Sequence, residues 1–290
     1  MPGEMRIRIW DVEHGACAMV QHVAYTLGGQ VGGRLAMIDS GSSATFRPST
    51  YIRNHMERNR LDYLFITNAD QDHMSDLQGL WDSNIYTHVL HRNPTYTGDQ
   101  MRAIKRQSGP LTNDAERYVA CCQVFNLPVE EPFNAHMSGI TVSQFYNPYP
   151  TFTNTNDLSL VIFVKYGNCK FLFSGDLEKA GWRALLQRAD FRAELQYTDV
   201  LMASHHGRES GFCPEVFNYC KPQAIVISDK AMKHASQEMV PDYRAITTDL
   251  GISIRTSGKT RHVLTTRRDG WIQFTVGDNG RFHTDTEVQG

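Results

Sequence analysis

Apolar and polar residues alternate along MRIRIWDV at the start of the chain, the period-two pattern of a half-buried strand. CAMVQHVAYTL is rich in strand formers, and the glycine turn GGQVGG feeds RLAMIDSG, so the chain predicts strands up to Gly41. RPSTYIRNHMERNR changes the period: Tyr51, Ile52, His55 and Met56 fall at roughly helical spacing. LDYLFIT returns to strand character. In the second half GITVSQFY, DLSLVIFVKY, CKFLFSGD, TDVLMASHH and PQAIVIS predict strands, with helices at LEKAGWRALLQRA and VPDYRAITTDLG. HVLTTRRDGWIQFTV predicts a closing hairpin with Asp269 and Gly270 at its turn.

Residues 92–136 follow neither period cleanly. DAERYVACCQVFNL predicts a helix, while HRNPTYTGD and PVEEPFNAH have loop composition. This stretch is expected to be an elaboration beside the functional site. Strands cluster in each half with helices between them, and no repeat, low-complexity tract or linker divides the chain. The expectation is one α/β sandwich domain over residues 1–290.

The chain has 290 residues, 41% hydrophobic and 21% charged, enough for a dry core. Its formal charge is -2, so no global basic field draws in nucleic acid, and a polyanionic substrate would need a local patch or metal ions. Candidate patches are Lys105 with Arg106, RTSGKTRH and TTRRDG. The six cysteines, Cys17, Cys121, Cys122, Cys169, Cys213 and Cys220, form no CxxC pair and are expected as reduced thiols. The N-terminus has no apolar signal core, and no stretch approaches the ~18 apolar residues of a membrane span. A cytoplasmic protein without membrane association is expected.

Three segments share one feature: an apolar run that ends abruptly in metal-ligand residues. LDYLFIT ends in Asn68, Asp70, Asp72 and His73; CKFLFSG ends in Asp176; TDVLMAS ends in His205 and His206. Functional groups of α/β sheets gather at strand C-termini, so side-by-side strands would bring these residues into one pocket. Clustered carboxylates repel unless a cation neutralises them, and a divalent metal suits this mix of oxygen and nitrogen donors. Taken alone, Asp176 could equally cap a helix.

In this order the segments resemble the metallo-β-lactamase-fold hydrolases, and among them the branch typified by the soluble domain of the competence DNA-uptake channel protein. DVEHGACAMV matches the opening motif, MIDSG the Asp-Thr-Gly segment, and TNADQDH the His-x-[His/Asp]-x-Asp-His signature. NDLSLVIFVKYGNCKFLFSGDLE matches the paired strands with the bridging Asp, VLMASHHGRESG the Ser-His-His-Gly stretch, and KAMKHASQEM the terminal segment. The resemblance implies a four-layer αββα sandwich with metal at one edge of the paired sheets. It also implies one cation site from Asp72, His73, Asp176 and His205 or His206. A second would draw on Asn68, Asp70, Asp176 and Asn156 or Asp157.

The implied cofactor is one or two divalent ions, Zn²⁺ or Mn²⁺, activating water for attack on a phosphodiester, with Asp72 orienting it and His234 facing the phosphate. Arg208, Ser210 and Asn156 are candidate substrate contacts. His14 sits in the opening motif, where a place beside the metal and a place in the core are both open. His88 and His91 read as structural, and the aromatics of FYNPYPTF as a packed loop or a base-stacking surface.

Several positions depart from the pattern. Asn68 replaces the first His of the signature; its amide oxygen is a weaker ligand for Zn²⁺, though acceptable to harder Mn²⁺ or Mg²⁺. Ala16 stands where the branch has an acid, Glu13 where it has Gly, and Ser40 where it has Thr. The second cation site is therefore weakened. The expected activity is a phosphodiesterase or nuclease on DNA or RNA. The alternatives are a hydrolase of a small substrate (cyclic nucleotide, thioester or lactone) and a degraded member that binds a partner protein in a larger system.

Overall fold

The computed structural model describes residues 3–127, 132–231 and 238–288. The chain opens with three antiparallel strands, β1 (Gly3–Ile9), β2 (Ala18–Thr26) and β3 (Gly29–Ile38). Helix α1 (Pro48–Asn54) leads to β4 (Arg60–Phe65), and α2 (Gln71–Met74) with α3 (Leu77–Asp82) leads to β5 (Tyr86–His91). The elaboration carries α4 (Gly98–Arg106), α5 (Asn113–Val124) and α6 (Pro132–His136). Next come β6 (Thr141–Phe145), β7 (Val161–Tyr166), β8 (Cys169–Phe173), α7 (Lys179–Leu185) and α8 (Ala189–Leu195). The chain closes with β9 (Val200–Met202), β10 (Ala224–Ile227), α9 (Val240–Ala245), the ribbon β11 (Ile252–Ser253) and β12 (Thr260–Arg261), β13 (Val263–Thr265), α10 (Thr266–Asp269), β14 (Ile272–Gly277) and β15 (Phe282–Thr286).

The strands form a seven-stranded sheet in the order β15-β14-β1-β2-β3-β4-β5 and a six-stranded sheet in the order β13-β10-β9-β8-β7-β6. The alternation read in the first strand is the alternation found: Gly3, Met5, Ile7 and Ile9 are buried and the residues between them less so. Its inward residues meet the other sheet in one core, where Met5, Ile7 and Phe65 pack with Ile162, Phe171 and Val226. β8 is buried at every position, as a strand covered on both faces must be. Phe171 and Phe173 face the other sheet, while Leu172 faces a separate core with Trp182, Phe191 and Tyr243. On the far side, Leu35, Met37 and Leu64 pack under Ile52, Met101 and Tyr118 of the helices. Helices, sheet, sheet and helices thus make the four layers expected of the αββα sandwich.

Two local readings change. HVLTTRRDGWIQFTV is not a hairpin: β13 lies parallel to β10 in one sheet, and β14 lies antiparallel to β1 in the other. The Asp269 carboxylate accepts from Arg261 at 3.0 Å and from the Thr265 N–H at 2.8 Å. This closes the short turn of α10 and sends the chain across to the other sheet. The hairpin forms one strand later, between β14 and β15. Within the elaboration, α6 forms where PVEEPFNAH was expected as a loop, and α4 starts at the end of the loop HRNPTYTGD. Thr97 and Gln100 form a capping box at its start, each side chain bonding the other's backbone N–H.

Candidate metal centre

β3 and β4 run parallel in one sheet, and β8, β9 and β10 run parallel in the other. Their C-terminal ends open on one edge, and the three ligand-bearing segments follow β4, β8 and β9. Asp72, His73, Asp176 and His206 meet there, with one donor atom from each lying within 4.8 Å of all the others. His73 Nε2 is 3.0 Å from Asp176 Oδ1, and His206 Nε2 is 3.1 Å from Asp72 Oδ2 and 3.4 Å from Asp176 Oδ1. His73 Nε2, His206 Nε2 and Asp176 Oδ1 are all buried without a properly aligned hydrogen bond. Buried polar atoms are rarely left so, and three aimed at one point are what a cation site presents when its donors are free.

The outer nitrogens are anchored. His73 Nδ1 lies 2.8 Å from Asp39 Oδ2, and His206 Nδ1 lies 3.0 Å from the Ser228 carbonyl. Anchors of this kind fix ring orientation and leave Nε2 to face a metal. Asp39 also accepts from the Thr67 N–H at 2.7 Å and from the Thr67 hydroxyl at 2.5 Å. Backbone bonds clamp the turn from outside: Ala16 N to Asp72 O at 3.3 Å, Ser40 N to His73 O at 2.8 Å and Gly41 N to Ala16 O at 2.9 Å. The opening motif and MIDSG are therefore the walls of the signature turn.

Electrostatics report the same demand for positive charge. Burial opposes a charge on His73, yet Asp176 and Asp39 hold its pKa well above the ordinary imidazole value. Burial also opposes charge on His206, and Asp176 and Asp72 raise it to about 9. Asp176 is held well below the usual carboxylate range by the two imidazoles despite its burial. Asp72, likewise desolvated, falls to about 2 through its bond to His206 and the nearby charge of His73. The donor set fits a divalent ion.

Backbone strain marks the segment after β9. His205 and His206 take φ of 51° and 54°, followed by Gly207 at 73°. Two successive non-glycine residues in the left-handed region are uncommon and cost about 1 kcal/mol or more each. The twist separates the rings: His206 faces the cluster, while His205 Nδ1 faces the Ser210 hydroxyl at 2.9 Å and Glu178 at 3.1 Å. His205 is thus not brought into the four-residue cluster, and neither are Asn68 and Asp70. Asn68 Nδ2 donates to Asn156 Oδ1 at 3.1 Å, and Asp70 pairs with Lys105 at 2.6 Å. Asp157 is buried in a structural role, accepting from the Gly181 N–H at 2.9 Å.

His14 stands at the rim, with Nε2 3.4 Å from Asp72 Oδ2 and its ring 4.4 Å from that of His206. Burial, with His206 and Arg208 nearby, lowers its pKa to about 4. Arg208 points one nitrogen at His14 Nε2 at 3.1 Å and another at His205 Nε2 at 3.3 Å. Among the described residues no carboxylate pairs with it. His234 lies outside the described residues. Phe145 ends β6 and is buried against Phe163 and Phe191, and Tyr149 and Phe152 of the loop that follows pack on the helix-side core, so these aromatics of FYNPYPTF are packed.

Residues 19–196 match the Lactamase_B family, described as the metallo-beta-lactamase superfamily. The chain belongs to this superfamily. Its members bind divalent metal ions, and the Asp/His cluster is a set of donors that could hold one. No curated protein matches the sequence. Solved structures similar to it include a presumed metal-dependent hydrolase from Parabacteroides distasonis, at 10% identity, TM-score 0.46 and coverage of 91% of this chain and 94% of that one. A long form RNase Z from yeast has 9% identity and TM-score 0.41, with 80% of this chain and 38% of that one covered. CmlA, a diiron beta-hydroxylase from Streptomyces venezuelae, has 13% identity and TM-score 0.47, with 96% and 55% covered.

Sequence reasoning did not assign Asp39, Glu178 or Ser228 a part in the site. Asp39 had a signal, since an acid directly after the apolar run RLAMI repeats the pattern of the three ligand-bearing strands. The Ser228 contact is through a main-chain carbonyl and leaves no mark on side-chain identity. No helix among the described residues is long and apolar enough to cross a membrane.

Proposed function

We propose that this superfamily member is a metal-dependent phosphodiesterase, with Asp72, His73, Asp176 and His206 holding a divalent ion and Arg208 receiving the phosphate. A divalent ion at these donors supplies Lewis-acid polarisation of an oxygen and makes water more acidic. The observation that carries the phosphodiester reading is Arg208. A half-buried guanidinium held by two imidazoles, beside the cluster and without a carboxylate partner, is suited to a bidentate anion. Arg208 binds and orients the phosphate, His14 and His205 orient Arg208, and Ser210 with Glu178 fixes His205. Asp39 keeps the His73 ring in place. Mn²⁺ or Zn²⁺ is the proposed ion, and DNA or RNA the proposed source of the phosphodiester.

A hydrolase of small anionic substrates is the second reading, and one observation favours it. Three of the arginines expected to line a nucleic-acid groove are already engaged: Arg255 with Asp285 at 2.7 Å, Arg261 with Asp269 at 3.0 Å and Arg267 with Asp229. The deciding experiment measures hydrolysis of bis-p-nitrophenyl phosphate, single-stranded DNA and RNA by the full chain loaded with Mn²⁺ or Zn²⁺. Turnover that disappears in Asp176→Ala is expected. Arg208→Ala should raise KM about ten- to a hundredfold, the worth of a charge-assisted hydrogen bond, with a smaller change in kcat. Cleavage of the small diester alone would select the second reading, and no cleavage of any diester would discard the phosphodiesterase.

A further inference from the structure

The turn after β4 sends out one carboxylate that does not join the cluster. Asp70 lies two residues before Asp72, yet both of its oxygens are engaged. Oδ1 accepts from Lys105 Nζ at 2.6 Å, and Oδ2 accepts from the Thr155 hydroxyl at 2.9 Å. Asn68, at the head of the same turn, is engaged at both ends as well. Its Oδ1 accepts the Asp70 N–H at 2.8 Å and its Nδ2 donates to Asn156. The contrast with the cluster is sharp: His73 Nε2, His206 Nε2 and Asp176 Oδ1 are buried there without an aligned hydrogen bond, whereas these groups are satisfied.

Lys105 arrives from α4, and the helices around it are fastened to the signature turn at several points. Gln71 donates to Asp114 at 2.8 Å, and Asp114 also accepts the Gln78 N–H at 2.9 Å. The Lys105 side chain is only 18% exposed where it meets Asp70. An ammonium has three donors and no lone pair, so Lys105 cannot itself ligate a metal beside Asp70. A dication at the same carboxylate would sit against a like charge in a partly desolvated site.

We propose that Lys105 is a built-in cation: its ammonium neutralises Asp70 in place of a metal ion, and the centre therefore takes one divalent ion. The α4–α5 elaboration is then the element that sets the metal count, by delivering this charge to the turn. The inference rests on the four-residue cluster being the metal centre, and does not depend on the identity of the substrate.

The test is metal stoichiometry, which needs no turnover. The full chain, purified without metal-affinity resin, is equilibrated with Mn²⁺ and measured by elemental analysis and by calorimetric titration. Wild type is expected to take one equivalent, lost in Asp176→Ala. Lys105→Arg should keep one. Lys105→Gln, which retains a hydrogen bond to Asp70 without the charge, and Lys105→Gln with Asn68→Asp should each admit a second equivalent, tighter in the double variant. Circular dichroism and melting confirm that each variant is folded. Two equivalents in wild type would overturn the proposal, as would a folded double variant that still takes one. No metal in wild type would overturn it together with the centre on which it rests.

Discussion

Asp39 shows how a residue outside the cluster governs it. Its carboxylate meets His73 Nδ1 at 2.8 Å and the Thr67 N–H at 2.7 Å, so a single buried acid joins the end of β3, the end of β4 and a candidate ligand ring. Holding hydrogen on Nδ1 leaves Nε2 free as a lone-pair donor, and it makes the ring more basic toward a cation. Asp39→Asn keeps the size and can keep the Thr67 contact, but removes the charge and permits the wrong tautomer. The expected result is a ten- to about hundredfold loss of Mn²⁺ affinity in calorimetric titration, with the far-ultraviolet spectrum unchanged. Unchanged affinity would mean that His73 is positioned by packing alone.

At the scale of elements, the centre depends on turns that touch through their backbones. Gly41 follows β3 and stands so close to its neighbours that a Cβ there would lie 2.6 Å from both the Ala16 and Asp72 carbonyl oxygens. Neither is a flexible side-chain end, so the signature turn itself would have to move. Gly41→Ala is expected to lower Mn²⁺ affinity and Tm together, whereas Gly28→Ala, where the nearest atom is 3.8 Å away, should change neither. Equal behaviour of the two would show that the turn yields without cost. Elements also differ in how far they could be read beforehand. The strand ending in Thr67 was legible because an apolar run met a dense polar stop. α4 was left unassigned although Thr97-x-x-Gln100 is a capping-box pattern, because Pro94 and Gly98 gave HRNPTYTGD, up to Asp99, the composition of a loop. The hairpin at Asp269 and Gly270 was misread for a related reason: a turn dipeptide says where the chain bends, not which sheet it bends into.

Across the whole molecule, the centre is shared by both halves. Asp72 and His73 follow a strand of the seven-stranded sheet, and Asp176 and His206 follow strands of the six-stranded one. A metal bound only when the two sheets are assembled stabilises the assembled state by RT ln(1 + [L]/Kd), about 2.7 kcal/mol at a hundredfold excess over Kd. Melting with Mn²⁺ at that level should therefore shift Tm upward by several degrees, and chelator should reverse the shift. Asp176→Ala should abolish the shift. A shift that persists in that variant would place the ion elsewhere in the molecule.

The sequence by itself determined the layers and the donors. Strand and helix periods determined an α/β sandwich, the resemblance to the metallo-β-lactamase-fold hydrolases implied its four layers, and each strand that ends in Asp, His or Asn marks its own C-terminus. Those are local properties, carried by residues near one another in the chain. Only the tertiary structure decided which donors converge. His205 and His206 are adjacent and chemically identical, and a left-handed backbone turn sends just the second to the cluster. Asp70 and Asp72 alternate on one short turn, and a lysine thirty-five residues away claims the first. Such choices depend on groups distant in sequence, held a few ångströms apart by packing, and no local pattern records them.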